Sequence, residues 1–557
     1  MKTIKKVLIP LLIMAMLFSV LAACGTSEPE ATKTPEATKA PEQTKAPEQT
    51  EAPETPEEPK EMYPITEDTT ELTAFFSLGG FVVQYISGFN DIDGMAIVEE
   101  KTNVHLEADL VDENIYREQL NVLIAGGDLP DLLLAPDKYY AGGTDALIDN
   151  EICIDVVPYL EEYAPDYSAT MKENPTFAKL ITSDTGKIAT MYGTMEYIQR
   201  GLQTRMDWID ELNLKVPTTY DEMTDVLEAF KVEKGATEAL YVHKDLFAVG
   251  SDAKSWICGG FGVTSADSSS EVSWYVDNGE VKCGYIEDTE KEFLMQMNEW
   301  YNAGYFTNDF ISRAPQFSEL KPYVVEDNTG FWVGSFTTLA PAWFGYEGTI
   351  DIRAIADVTK TGKETVTMGG SRSFKSNSGW AVSADCEIPE IAVQYINWFF
   401  TDEGTILGNW GIEGETYTVN NGAYAYTDLI VNNAEGGSVM AMLSVHTLYN
   451  DTPRKMLTEA KIATLMSEQE QEAVGIWTAN RSEDSVFYGD LNAEESDEYG
   501  TLLGDIATYA AETINRFIIG ELNFEGDWDA YVARMHELDI DRCIELKQAA
   551  YDRFQNR

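Results

Sequence analysis

The chain has 557 residues, with 95 acidic side chains against 39 basic ones and a formal charge of −56. That excess of acid excludes non-specific nucleic-acid binding, which needs basic surface to neutralise phosphate, and argues against adsorption on an anionic membrane face. Apolar residues at 44% exclude global disorder, and the length exceeds one ordinary domain of about 100–200 residues, so two or more lobes are expected.

Lys2, Lys5 and Lys6 precede an apolar run from Val7 to Leu21. The run is too short for a comfortable membrane span of about 20 residues and reads as the apolar stretch of a secretory signal. It ends Leu21-Ala22-Ala23-Cys24-Gly25, which resembles a bacterial lipobox. The resemblance implies cleavage before Cys24, lipid on that cysteine, and a protein anchored to the bilayer rather than spanning it. Five cysteines follow, Cys153, Cys258, Cys283, Cys386 and Cys543. The odd count and the lack of CxxC spacing speak against a disulfide framework and a zinc ribbon. Whether Cys258 and Cys283 pair or stay as buried thiols is open.

Gly25 to Glu61 repeats loosely as TKTPEA, TKAPEQ, TKAPEQ and TEAPET, with seven prolines and no aromatic residue. It cannot bury apolar surface and is expected to stay extended, reaching on the order of 100 Å at ~3.1 Å per residue, as a stalk under the body.

Globular composition starts at Met62. Glu71–Leu78 reads as a buried strand, Val98–Thr102 as a helix end, and Val104–Ala108 as a second strand. Asn114–Ala125 puts Ile115, Leu120, Leu123 and Ile124 on one helical stripe, stopped by Gly126-Gly127. Leu132–Leu134 is a short core strand between Pro130 and Pro136. Thr219 with Glu222 three residues on forms a capping box, and Met223, Val226, Leu227 and Phe230 follow at helical spacing. Asp327–Gly334 and Ser378–Val382 read as strands, Pro389 opens a helix, and Trp528–Phe554 is largely helical. Strands alternating with helices predict an α/β body with parallel or mixed sheets.

Several stretches in this order resemble extracellular solute-binding proteins of ABC importers, above all the large Gram-positive lipoproteins of oligosaccharide (aldouronate-type) uptake. They are NIYREQLNVLIAGGDLPDLLL (114–134), TGKIATMY (185–192), RMDWIDELNLKVPTTYDE (205–222), SGWAVSADCEIPEIAVQYINWFFTDEGTILGNWGIEG (378–414) and QAAYDRF (548–554). The resemblance implies a two-lobed periplasmic-binding-protein-like fold, each lobe a mixed sheet flanked by helices, joined by hinge crossings and closing on ligand. It places the first lobe at 62–198 plus 350–410 and the second at 199–349 plus 411–557. It implies a monomer at the outer face of the cell membrane that hands an oligosaccharide to two permease subunits and their ATPase. It implies no enzyme activity and no cofactor. Some relatives carry a calcium loop after the helix that begins here at Tyr220. The corresponding residues, Phe230–Glu238, lack alternating oxygen ligands and hold two lysines, so no calcium is expected there.

Sugars are held by aromatic faces and planar polar side chains. Trp332, Trp343, Trp380 and Trp410 lie at strand ends or in Gly-flanked loops and read either as ligand platforms or as core. Trp208 and Trp398 read as core. Tyr192, at the first implied crossing, is a ligand candidate. Arg205 and Asp207 either bind hydroxyls or pair with each other. Glu413 and Tyr417, after the third crossing, stand the same way. The four histidines, His105, His243, His446 and His536, show no ligand spacing, and GxSxG, HExxH, GxxxxGK[ST] and dinucleotide-type GxGxxG motifs are absent. The alternatives to an oligosaccharide receptor are the same receptor for a peptide or other solute, and a surface glycoside hydrolase or lyase.

Overall fold

A strand that is buried on both faces should read as an almost continuous apolar run, and Thr70–Leu78 (TELTAFFSL) does. Successive side chains point to opposite faces, so Phe76 enters one apolar cluster while Phe75 enters another, with Tyr116, Leu120 and Leu147. The computed structural model describes residues 62–557 apart from 80–81, 83–84, 196–199, 244–255, 263–272, 314–316, 340–343, 347–348, 365, 368–374, 421–422, 432–438, 449–451, 458–466, 480 and 483–486. The signal segment, Cys24 and the stalk lie outside the described residues, and so does Trp343.

In chain order the framing strands are β1 (Thr70–Leu78), β2 (Val104–Asp112), β3 (Leu132–Leu134), β4 (Thr190–Thr194), β5 (Arg200–Arg205), β6 (Trp274–Asp277), β7 (Glu280–Cys283), β8 (Phe331–Ser335), β9 (Ile352–Ala354), β10 (Val366–Thr367) and β11 (Lys375–Val382). The first sheet has the order β2-β1-β3-β11-β4. Strands β1, β2 and β3 are parallel, and β11 runs antiparallel to β3 and β4, so the sheet is mixed, as the alternation of elements predicts. The second has the order β8-β5-β9, with β5 antiparallel to both neighbours. The pair β6 and β7 forms a hairpin.

The helices agree with their sequence signals except at their ends. The helix Tyr116–Gly126 stops at Gly127, whose left-handed backbone (φ 70°) is what Gly tolerates there. Leu120 is buried, and Leu123 and Ile124 pack against the core. Ile115, however, is 46% exposed, because the helix begins one residue later. Its place is taken by Tyr116, which donates to the Leu134 carbonyl at 2.8 Å.

The helix Tyr220–Glu233 buries Met223, Val226, Leu227 and Phe230 as spaced. Thr219 Oγ1 accepts from the Glu222 amide at 3.2 Å. The Glu222 carboxylate reaches back to the amide and hydroxyl of Thr218, not to Thr219, so the box is stretched by one residue. Thr219→Ala should lower stability by about 1 kcal/mol in urea unfolding. A change within error would mean that the Glu222 contacts alone hold this end.

Packing divides the body between two large apolar clusters. One gathers residues of 72–192 and 380–407 with Leu448, and the other gathers residues of 202–310, Phe331, Ile355–Val366 and 487–550. Ile352–Ala354 hydrogen-bonds to β5, and Ile355, Val358 and Val366 pack with the second cluster. Ile412 and Val445 pack with the first. Cys258 and Cys283 stand as buried thiols.

Candidate functional site

Strand β4 and the turn after β3 build one wall. Tyr192 on β4 pairs with Gly379 on β11. A Cβ on Gly379 would come within 2.5 Å of the Tyr192 ring, so only Gly lets that ring lie across the strand. The Tyr192 hydroxyl donates to Asp137 Oδ1 at 2.7 Å, and Thr190 Oγ1 donates to the same oxygen at 2.6 Å. Burial, then the Asp137 charge, drives the Tyr192 phenol well above its ordinary range, so it remains a donor.

Two cations meet this ring. Lys375 Nζ is 4.3 Å from its centroid and Lys138 Nζ 5.4 Å. Lys138 keeps solvent-exposed area, yet protein crowds it on most sides. That desolvation, with repulsion from Lys375, pulls its ammonium down to about 8, against the pull of Asp137. Next in the chain, Tyr139 is 37% exposed.

Asp137 and Lys375 line a small, solvent-open cavity of about 60 Å³, with Gly142–Asp145 and Leu180–Asp184 on the same side. Asp490, Leu491, Asn492 and Arg557 line the other side. Asn492 caps the helix Ala493–Ile518, accepting from the Glu495 amide at 2.9 Å. The two sides approach so closely that a Cβ on Gly142 would lie 2.7 Å from the Ala493 Cα. Arg553 and Arg557, from the helix Ile540–Gln555 and just beyond it, both bind Asp184, at 2.6 and 2.8 Å. Arg557 also donates to the Thr182 carbonyl at 2.6 Å and pairs with Asp490. The cavity thus lies between the loops that follow β3 and precede β4 and the C-terminal segment of the chain.

Of the residues singled out from sequence, Tyr192 alone lies near this cavity, and at 1% exposed it stands behind the lining residue Asp137 rather than in the lining. Trp380 has no exposed surface. Phe76 and Tyr395 stack on it at 4.8 and 6.2 Å, and Phe89 and Phe399 meet it edge-on, so no ring face is open. Trp332 is equally buried and donates to Gln203 Oε1 at 2.8 Å, with Phe344 beside it. Trp410 packs against Tyr424 and Tyr426, both at 4.9 Å, and Tyr417 stacks on Tyr424. These three tryptophans are core side chains, each at most 1% exposed, so none offers a ring face to a sugar. Glu413 is exposed beside Tyr417.

Arg205 and Asp207 pair with each other at 2.7 Å, and Arg205 also takes Asp327 at 2.7 Å. Its guanidinium lies 4.5 Å from the Trp208 ring centroid, and Trp208 is core as expected. Lys138, Tyr139 and Lys375 were missed. For Lys138 and Tyr139 the available signal was position, just past the carboxyl end of β3, where α/β sheets place ligands; Lys375, at the start of β11, carried no such signal.

Among the described residues, no group of three or more His, Cys, Asp or Glu is set to hold a metal ion, and no helix is long and apolar enough to cross a membrane. Glu238, in the stretch compared with a calcium loop, is instead held by Arg313 at 2.9 Å.

Residues 94–406 match the family model described as bacterial extracellular solute-binding protein. The polygalacturonan/rhamnogalacturonan-binding protein YtcQ of Bacillus subtilis is 25% identical over 239 residues, 43% of this chain and 45% of that protein, so the match spans under half of either. Lipoprotein LipO of the same organism is 22% identical over 460 residues, 78% of this chain and 84% of that one. Among solved structures, an HMO-binding, ABC-transporter-associated solute-binding protein of Bifidobacterium longum infantis superposes with a TM-score of 0.72 at 16% identity, covering 87% of this chain and 99% of that one. The shared fold is the two-lobed one. With the family model covering more than half of its length, the chain belongs to the bacterial extracellular solute-binding proteins.

Proposed function

We propose that the protein captures an extracellular oligosaccharide between its lobes and delivers it to the permease of an ABC importer, held at the cell surface by lipid on Cys24. The observation that carries this reading is the match of residues 94–406 to the bacterial extracellular solute-binding proteins. The names of YtcQ and of the Bifidobacterium protein, one for pectic polysaccharides and one for HMO, support a carbohydrate, and the name of LipO supports the lipoprotein reading of Cys24. We place the first lobe at about 62–194, 375–457 and the second at about 200–367, 467–557, following the apolar clusters. No bond is made or broken: ligand favours the closed arrangement by its difference in affinity for the two arrangements.

The test is a thermal-shift screen of the body, residues 62–557, against xylo-, manno-, gluco-, galacto- and uronate-bearing oligosaccharides. Residues from Glu61 on form one compact unit, so this body is the piece to use. At a hundredfold excess over the dissociation constant, ligand should stabilise it by about 2.7 kcal/mol, with no product formed. Stabilisation only by peptides would reassign the ligand. Cleavage of an oligosaccharide would make the protein an enzyme.

A further inference from the structure

We infer that Asp184, gripped by Arg553 and Arg557, is an ionic latch between the two lobes, one that favours the arrangement of this structure over a more separated one and yields to salt. This rests on the two-lobe placement proposed above, and it bears on the resting balance that a ligand must shift.

The two apolar clusters anchor opposite halves of the latch. Phe177, Ile181 and Ile188, on either side of Asp184 in the chain, belong to the first cluster. Ile540, Cys543, Leu546 and Ala550, on the helix that carries Arg553, belong to the second. Charged bonds pass from one half to the other. Arg553 Nε donates to one oxygen of Asp184 at 2.6 Å and Arg557 Nε to the other at 2.8 Å, so guanidiniums from across the seam take both carboxylate oxygens. Arg557 Nη1 also donates to the Thr182 carbonyl at 2.6 Å and the Lys179 carbonyl at 3.3 Å. These lie at the carboxyl end of the helix Pro175–Ile181, where a helix leaves its own carbonyls without internal donors. Lys179 reaches the other way, its ammonium 4.6 Å from the Phe554 ring centroid.

Each arginine is held in place from its own side. Glu495 accepts from both terminal nitrogens of Arg553, at 2.8 and 2.5 Å, and itself takes the Asn492 amide at 3.0 Å. Asp490 accepts from Arg557 at 3.2 Å. The donors that meet Asp184 are therefore already oriented, which spares the ordering cost that weakens most exposed ion pairs. The seam can also open. The Arg557 side chain is 6% exposed, but that of Arg553 is 30% exposed and that of Asp490 75%, so solvent enters at the rim and can replace each bond as the lobes part. Interlocked apolar side chains would weld the lobes, whereas polar contacts between domains are made and broken reversibly.

Small-angle X-ray scattering from the unliganded body tests this. Asp184→Asn removes the charge at constant shape and should move the balance toward the separated arrangement roughly tenfold, read as a larger radius of gyration than the parent's. Raising salt from about 0.1 to 1 M, which shortens the screening length from about 10 to 3 Å, should expand the parent and change Asp184→Asn much less. The direction is diagnostic: in a chain with a formal charge of −56, screening of general self-repulsion would shrink the body instead. A variant that melts lower yet keeps the parent's radius across the salt series would make the cluster a static brace and overturn the latch. So would a parent whose radius stays constant or falls with salt, and this arm needs no variant, so a misfolded substitution cannot shield the idea. No ligand enters either arm. Failure of the latch therefore leaves the receptor reading standing, and failure of every sugar to bind leaves the latch to be judged on its own.

Discussion

Arg313→Ala should lower the stability of the body by about 3–5 kcal/mol, the scale set by stripping one partner from a buried ion pair. The Arg313 side chain is 5% exposed and its partner Glu238 4%. Its guanidinium donates to both Glu238 oxygens at 2.9 and 3.0 Å, to the Val242 carbonyl at 2.7 Å and to the Tyr323 hydroxyl at 2.7 Å. The rings of Tyr241 and Tyr323 lie 4.7 and 4.6 Å from it. Truncation leaves the Glu238 carboxylate buried, with the Thr307 hydroxyl still donating to it at 2.6 Å. It also removes the cation that ties the segment after the helix Tyr220–Glu233 to Tyr323. The combination Arg313→Met with Glu238→Gln should cost much less, because no uncompensated charge is left inside. Urea midpoints of the two variants decide the matter. If the single substitution costs under about 1 kcal/mol, the pair is not the buried clamp described here.

The second large effect is expected at Trp380. Its replacement by Ala should cost about 3–5 kcal/mol, the range for deleting a large core aromatic side chain, because the cavity left among Phe76, Phe89, Tyr395 and Phe399 cannot be refilled by small shifts. The discriminating readout is ligand affinity of the protein that remains folded, which should stay as in the parent. A small loss of stability with a collapse of affinity would return Trp380 to the binding surface. The comparison has a general point, since a tryptophan beside a glycine at a strand end has the composition of a sugar platform whether or not its faces are taken.

That ambiguity marks how far the sequence could be read. The strands Thr70–Leu78 and Leu132–Leu134 were visible because a sheet covered on both sides leaves no polar alternation. The helix at Tyr220 was visible because its cap and its apolar spacing are local. The fate of Trp380 was not, because Phe76, Phe89 and Tyr395 reach it only through the sheet order β2-β1-β3-β11-β4. The same holds for Lys138 and Lys375. They come together because β11 lies between β3 and β4, and no spacing in the chain encodes that. The place of Ile352–Ala354 has a related cause: it is an unremarkable short apolar strand until β5 supplies its partner, and only that pairing joins it to the second sheet.

The buried thiols have a practical consequence. Cys153, Cys258, Cys283, Cys386 and Cys543 are all buried, and burial pushes the Cys386 thiol up to about 12 and the Cys543 thiol to about 11. Alkylating dyes attack the thiolate, so these groups are shielded both by access and by ionisation. Fluorophores can therefore be placed on cysteines introduced at exposed positions such as Val122, on the helix Tyr116–Gly126, and Val232, on the helix Tyr220–Glu233, with the native sulfurs left in place. Energy transfer between such a pair would report lobe closure on a single molecule, in a protein whose core has not been altered to make the observation possible.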